Sequence, residues 1–276
     1  SRNCTRSILM RAWPRSGPWQ VLGVALPRGS QRVERQIIPR VRRRPGRAAR
    51  PATARIAAIL RGELEFRHIA IEGPLGAGKS RLAERLAVRL DATVVPDETE
   101  NPFLADFYAA RPGAAFQAQL FSLLARHRQQ AALRQTDLFS QATICDYLFD
   151  KDKIYAYLNL DDNELFIYQR LYDLLARDVA APDLVIYLQS PSEVIHRRLR
   201  ERAKRDPRRP LPDAQYVREL SEAYNHFFFH YTATPLLVVE TSQFDLAWQD
   251  DALEDLLRQV RDMGLGTRYY VPRTGA

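Results

Sequence analysis

Residues 67–90 read RHIAIEGPLGAGKSRLAERLAVRL, and the reading of this stretch decides the fold. A short apolar run, RHIAI at 67–71, leads into GPLGAGKS at 73–80, which matches the pattern GxxxxGK[ST]; the amphipathic run SRLAERLAVRL follows at once. Strand, glycine-rich loop and helix in that order are what a phosphate cradle needs. Glycines at 73, 76 and 78 let the loop Gly73, Pro74, Leu75, Gly76, Ala77 and Gly78 wrap a phosphate chain, and the helix start adds unpaired N–H groups. Lys79 is placed to reach the β- and γ-oxygens of a nucleoside triphosphate such as ATP, and the Ser80 hydroxyl to hold Mg²⁺.

Outward from this loop, short β-rich runs alternate with longer amphipathic ones. Strands are predicted at 67–71, 93–96, 142–146, 184–188 and 236–240. Helices are predicted near 79–90, 101–110, 113–136, 151–158, 162–178, 191–204, 213–231 and 246–263. The expectation is an α/β domain with a doubly wound, five-stranded parallel sheet, its ligands at the carboxyl ends of the strands.

The 276 residues carry a formal net charge of +8, which invites a nucleic-acid reading until it is divided along the chain. Residues 1–62 hold 15 Arg, no Lys and a single acid, Glu34, a balance of +14; the other 26 basic and 32 acidic residues leave −6. The Arg-, Pro-, Gly- and Ala-rich segment 1–62 lacks a sustained apolar period and is expected to be a disordered basic leader. A gene-start artefact, an organelle-targeting presequence and a basic arm for an acidic partner are the alternatives. Residues 63–276 then form the catalytic domain, whose charge does not suggest nucleic acid. Two cysteines, Cys4 and Cys145, suit a reducing, cytoplasmic setting, with organelle targeting by the leader left open. No apolar run approaches the length of a membrane span. The five histidines lack metal-ligand spacing with cysteine.

The phosphate loop fixes the donor and not the reaction. A domain of this size with no room for inserted modules suits a small-molecule kinase, which needs an acid for the acceptor hydroxyl, Mg²⁺, and cations on the transferring group. Asp97, Glu98 and Glu100 cluster after the second strand, where one of them could equally cap a helix ahead of Pro102. The run HRRLRERAKRDPRRP at 196–210 concentrates positive charge after the fourth strand. It reads either as a solvated helix end or as an Arg-rich lid, in which Arg198 and Arg202 share a face with Lys204 just beyond.

Taken together, IEGPLGAGKS (71–80), DETENPFLADFY (97–108), FQAQLFSLLARHRQ (116–129), DYLFDKDKIYA (146–156), PDLVIYLQSPSEVIHRRLRER (182–202) and YNHFFFHY (224–231) resemble the deoxynucleoside kinase family, in particular its bacterial purine branch. The resemblance covers about residues 66–272. It implies a P-loop kinase that phosphorylates the 5′-hydroxyl of a deoxynucleoside, purines favoured, with ATP and Mg²⁺, working as a homodimer through its long helices.

The resemblance puts Asp97 at the acid that activates the 5′-hydroxyl. Glu98 stands where the family usually has Pro, so a one-residue slip would make Glu98 the base, with Glu100 a third choice. Tyr108 falls at the residue touching the sugar 3′-hydroxyl, and Gln119, Arg126 and Asp152 at the base-reading set, with Phe116 and Tyr155 as apolar walls. Asp146 matches the carboxylate that orients Mg²⁺. The family follows that acid with Arg and Ser, where this chain has Tyr147 and Leu148. Arg198, Arg202 and Lys204 match lid contacts to the donor. The family's glutamate beyond the lid has no clear match, Asp206 and Arg209 being equally aligned. Two other readings remain: a thymidylate-like monophosphate kinase, and a nucleotide-binding subunit of kinase fold without catalysis.

Overall fold

A computed structural model of the chain describes residues 66–97, 100–136, 142–206, 211–242 and 250–272. The predicted leader, the alternative base Glu98, Arg209 and the start of the helix predicted from 246 lie outside the described residues. Six strands, β1 (His68–Glu72), β2 (Thr93–Val95), β3 (Thr143–Cys145), β4 (Leu184–Gln189), β5 (Leu236–Glu240) and β6 (Thr267–Tyr270), form one sheet in the order β2-β3-β1-β4-β5-β6. Every pairing is parallel. The order reverses at β1, which lies between β3 and β4, so the carboxyl end of β1 is the switch point where such sheets bind ligands.

The sheet is thus the predicted doubly wound one, with a sixth strand added. β6 escaped the sequence reading because TRYY spans four residues and pairs, Leu236↔Thr267 through Val239↔Tyr270, only with a strand some thirty residues earlier. Its local pattern is too short to be told from a tail.

Eight helices occur among the described residues: α1 (Lys79–Leu90), α2 (Leu104–Tyr108), α3 (Ala114–Thr136), α4 (Lys151–Asn159), α5 (Asp162–Leu175), α6 (Ser192–Arg205), α7 (Ala214–Phe229) and α8 (Asp250–Arg261). The helix expected over 101–110 shortens to α2 because Asn101 and Pro102 form a turn, the Asn101 side-chain oxygen accepting the Phe103 N–H at 3.0 Å. The start of α5 follows from sequence directly: Asp161 accepts from the N–H groups of Asn163 and Glu164, and Glu164 reaches back to the Asp161 N–H.

By its internal contacts the chain divides into two compact units. The first contains the sheet, α1, α6, α7, α8 and the segment through Lys151; the second is helical, comprising residues 98–131 and 152–179. In the sheet unit, Ile69, Ile71, Ile144, Leu184 and Ile186 are wholly buried, giving the near-continuous apolar strands of a parallel sheet covered on both faces. Leu82 and Leu86 of α1 and Leu253, Leu256 and Val260 of α8 belong to the same core cluster. Arg89 pairs with Glu254 at 2.8 Å across these two helices, and Arg85 with Asp250. In the helical unit Leu123, Ile154 and Tyr168 are buried, and Asn101 donates to the Ala118 carbonyl (2.8 Å) and Ser122 hydroxyl (3.0 Å), fastening the turn before α2 to α3. No described helix is long and apolar enough to cross a membrane.

Candidate active site

The phosphate loop leaves the carboxyl end of β1 and closes onto α1. At Gly73 a Cβ would lie 2.8 Å from the Leu188 carbonyl oxygen and 3.1 Å from the Ala77 Cβ, so the loop's first residue is held against β4 by having no side chain. At its other end Gly78 caps α1 with φ +97°, a left-handed conformation that glycine adopts without strain, and no side chain caps the helix. The first N–H groups of a twelve-residue helix therefore point at the loop without a capping side chain, the arrangement that favours a phosphate. The Lys79 ammonium donates to the Gly73 carbonyl at 2.7 Å and lies 3.9 Å from Glu72. Burial pushes its pKa below the usual lysine range and Lys151 adds to that, while Glu72, Asp146 and Asp97 oppose.

Around this lysine the sheet unit gathers three acids and a second cation. Asp146, just past β3, is 4% exposed, and its Oδ1 has no hydrogen-bond partner among the described residues. Burial raises its pKa to about 6, against the bond it receives from the Ser80 hydroxyl and the charges of Lys79 and Lys151. Asp97, half-buried just after β2, is ion-paired through Oδ2 with Lys151, whose side chain is 5% exposed. Glu72 is the residue sequence reasoning passed over. Wholly buried, it accepts the Gly73 N–H (2.8 Å) and the Tyr224 hydroxyl (3.2 Å) on Oε1 and the Leu148 N–H (2.8 Å) on Oε2. One carboxylate thus fixes the first amide of the phosphate loop and the turn behind Asp146. An acid ending the run IAI immediately before the loop glycine was its one visible signal.

The lid candidates differ among themselves. Arg198 is half-buried on α6 and bonds to the Thr241 carbonyl at 2.5 Å and to the Ser190 hydroxyl at 3.4 Å, beyond the ends of β5 and β4. Arg202 and Lys204 stand exposed in the last turn of the same helix, where cations complement the helix dipole. Asp206, the α6 C-cap, is partly exposed.

In the helical unit Arg126 and Asp152 form a buried ion pair, with side chains 10% and 1% exposed. Gln119 lies seven residues before Arg126 on α3, hence on the same face; it is 9% exposed, and its Nε2 has no hydrogen-bond partner among the described residues. An unmet buried amide donor is costly and points to a ligand. Phe116 and Tyr155 are half-buried, and Tyr108 ends α2 with its ring against Phe107. The sequence-chosen residues thus fall into two groups, each assembled within one unit: loop, acids and cations on the sheet, and Gln119, Arg126 and Asp152 on the helices.

A glycine-rich phosphate loop at the switch point of a parallel sheet, with Asp146 against Ser80, defines a P-loop nucleotide-binding protein. The deoxynucleoside kinase family model matches residues 69–263, so the chain belongs to the deoxynucleoside kinase family. It is an enzyme that transfers a phosphoryl group from a nucleoside triphosphate to a deoxynucleoside. It is 32% identical over 161 residues to the deoxyguanosine kinase of Bacillus subtilis (strain 168), covering 56% of this chain and 75% of that one. It is 31% identical over 193 residues to the deoxyadenosine kinase of Dictyostelium discoideum, covering 67% and 77%. Among solved structures, a deoxyadenosine kinase from M. mycoides with bound dATP superposes with a TM-score of 0.57 at 25% identity, covering 69% of this chain and 98% of that one.

Proposed function

We propose that this chain phosphorylates the 5′-hydroxyl of purine deoxynucleosides with ATP and Mg²⁺, in nucleotide salvage. The observation that carries the purine reading is the buried Gln119 amide, whose Nε2 lacks a partner among the described residues. An amide offers a donor and an acceptor in one plane and can pair with a purine edge at both. Arg126 and Asp152 complete the base-reading set, Phe116 and Tyr155 flank the base, and Tyr108 takes the 3′-hydroxyl. The names of the Bacillus and Dictyostelium relatives, a deoxyguanosine and a deoxyadenosine kinase, agree with this choice.

In the transfer, Asp97 accepts the proton of the 5′-hydroxyl as the O5′–Pγ bond forms, and the bond from Pγ to the β-phosphate oxygen breaks, leaving ADP with its electron pair. Lys79, Arg198, Arg202 and Lys204 supply the cations that offset charge on the transferring group. Arg198 works from a fixed position, and Arg202 and Lys204 from the exposed end of α6. The residues present fit Mg²⁺, because Asp146 offers a buried carboxylate oxygen beside the Ser80 hydroxyl, a hard-oxygen donor set to be completed by water and phosphate. Ser80 and Asp146 would hold the ion, which when bound would offset the charge of the donor phosphates.

Residues 63–276 are the kinase domain in this reading, and the leader 1–62 takes no part in catalysis. Cys145 is buried with its Sγ 3.2 Å from the His68 Nε2, and the setting proposed for the enzyme is a reducing cytoplasm. The enzyme is a homodimer through α3 and α5, whose Leu124, Phe166, Ile167 and Leu174 are large apolar side chains exposed on the isolated chain. The test is to offer Mg-ATP with each of the four deoxynucleosides and compare kcat/KM. Purine deoxynucleosides are expected to lead; phosphorylation of pyrimidines alone would refute the Gln119 argument. A chain cut to residues 63–276 is expected to keep the full rate.

A further inference from the structure

Lys151 occupies a place adverse to a cation in two ways. It is 4% exposed, and burying a charge is costly unless it is paired. It is also the first residue of α4, at the positive end of the helix dipole, where an acid would be favoured. Its N–H is already used on the Leu148 carbonyl at 3.0 Å, so the backbone fixes the stem. From there the ammonium reaches Asp97, 54 residues earlier in the chain, while resting 5.8 Å from the Tyr147 ring centroid.

We propose that Lys151 is the positioning residue for Asp97: its ammonium grips Oδ2 and holds the carboxylate in the orientation from which it takes the 5′-hydroxyl proton. The inference rests on the reading of Asp97 as the base. In the step, the proton passes from O5′ to Asp97 as O5′ bonds to Pγ and ADP departs; Lys151 keeps its proton throughout. Asp97 follows a three-residue strand at the sheet's edge, and a buried cation on another element reaches its carboxylate.

The test is a double-mutant cycle with Lys151→Met, which keeps length and apolar stem without charge, and Asp97→Asn. Lys151→Met is expected to lower kcat about 10- to 100-fold, the loss that about 1 Å of misplacement produces. KM for the deoxynucleoside and the binding of ATP should stay within about threefold, which a merely structural role would not respect. In the Asp97→Asn background the same change should cost less than about threefold, because residues that act as a unit are not additive. A full further loss in that background, or Lys151→Met at the wild-type rate with Asp97→Asn inactive, overturns the proposal and leaves Asp97 as base. Asp97→Asn at the wild-type rate overturns the reading of Asp97 and the proposal with it. Should the methionine variant not fold, Lys151→Gln enters the same cycle under the same criteria.

Discussion

Replacing Glu72 by Gln changes one atom in a wholly buried group, and the structure gives the consequence a size. The carboxylate accepts three bonds, from the Gly73 N–H at 2.8 Å, the Leu148 N–H at 2.8 Å and the Tyr224 hydroxyl at 3.2 Å. Whichever oxygen becomes NH₂, at least one backbone donor then faces another donor with no water to turn to. A charge-assisted bond contributes about 1.5–3 kcal/mol and an unmet buried donor costs about 1–3 kcal/mol, so the expected loss is about 3–5 kcal/mol. At this chain length that corresponds to a fall in thermal midpoint of about 6–20 °C. Urea unfolding, with Tyr224→Phe as control, is the assay. The control removes only the longest of the three bonds from a side that can stay apolar, and should cost about 1 kcal/mol. A Glu72→Gln loss below about 1 kcal/mol would show that the carboxylate does not hold the two backbone amides, and the account of how the phosphate loop is fixed would fall.

Lys79→Ala should reduce turnover by at least about 10²–10³-fold with the thermal midpoint little changed, measured as kcat beside calorimetry; an active variant would sink the phosphate-loop reading. Burial, with the charge of Glu72, pushes Tyr187 well above the ordinary tyrosine value, and burial with the charge of Asp150 does the same for Tyr231 against the bond to Thr234. The folded state holds these protons more tightly than the unfolded one, so their contribution is full below pH 10 and is lost as pH rises above it. Unfolding monitored against pH, with tyrosinate absorbance, should show Tyr187→Phe flattening that decline. Phe166, 58% exposed on α5, is set on the proposed dimer face, so Phe166→Glu should give a monomer by analytical ultracentrifugation without loss of fold; an unchanged dimer would move the interface elsewhere.

What the sequence disclosed follows how local each signal is. The phosphate loop was readable in full because strand, glycines, lysine and helix lie within two dozen consecutive residues, and five strands were readable because buried parallel strands are apolar throughout. β6 was not, since its reason for being a strand is β5. Gln119 and Arg126 were visible as one helical face, and the structure adds the burial that distinguishes them from a surface stripe. Glu72 and Lys151 were missed for a common reason. Each is a charge with partners far away in the chain, Tyr224 and Leu148 beside the adjacent Gly73 for one and Asp97 for the other, and no window of sequence holds those distant members. Arg198, Arg202 and Lys204 read as equivalent lid contacts in the sequence, until the bond from Arg198 to the Thr241 carbonyl set it apart from the other two.

The central position of β1 bears on how the molecule opens. With two strands on one side and three on the other, the amides of Ile69 and Ile71 are screened from deuterium until the whole sheet comes apart, whereas β6 can peel from the margin alone. The phosphate loop therefore hangs from a strand with neighbours on both sides, and fraying at either margin leaves that anchor in place.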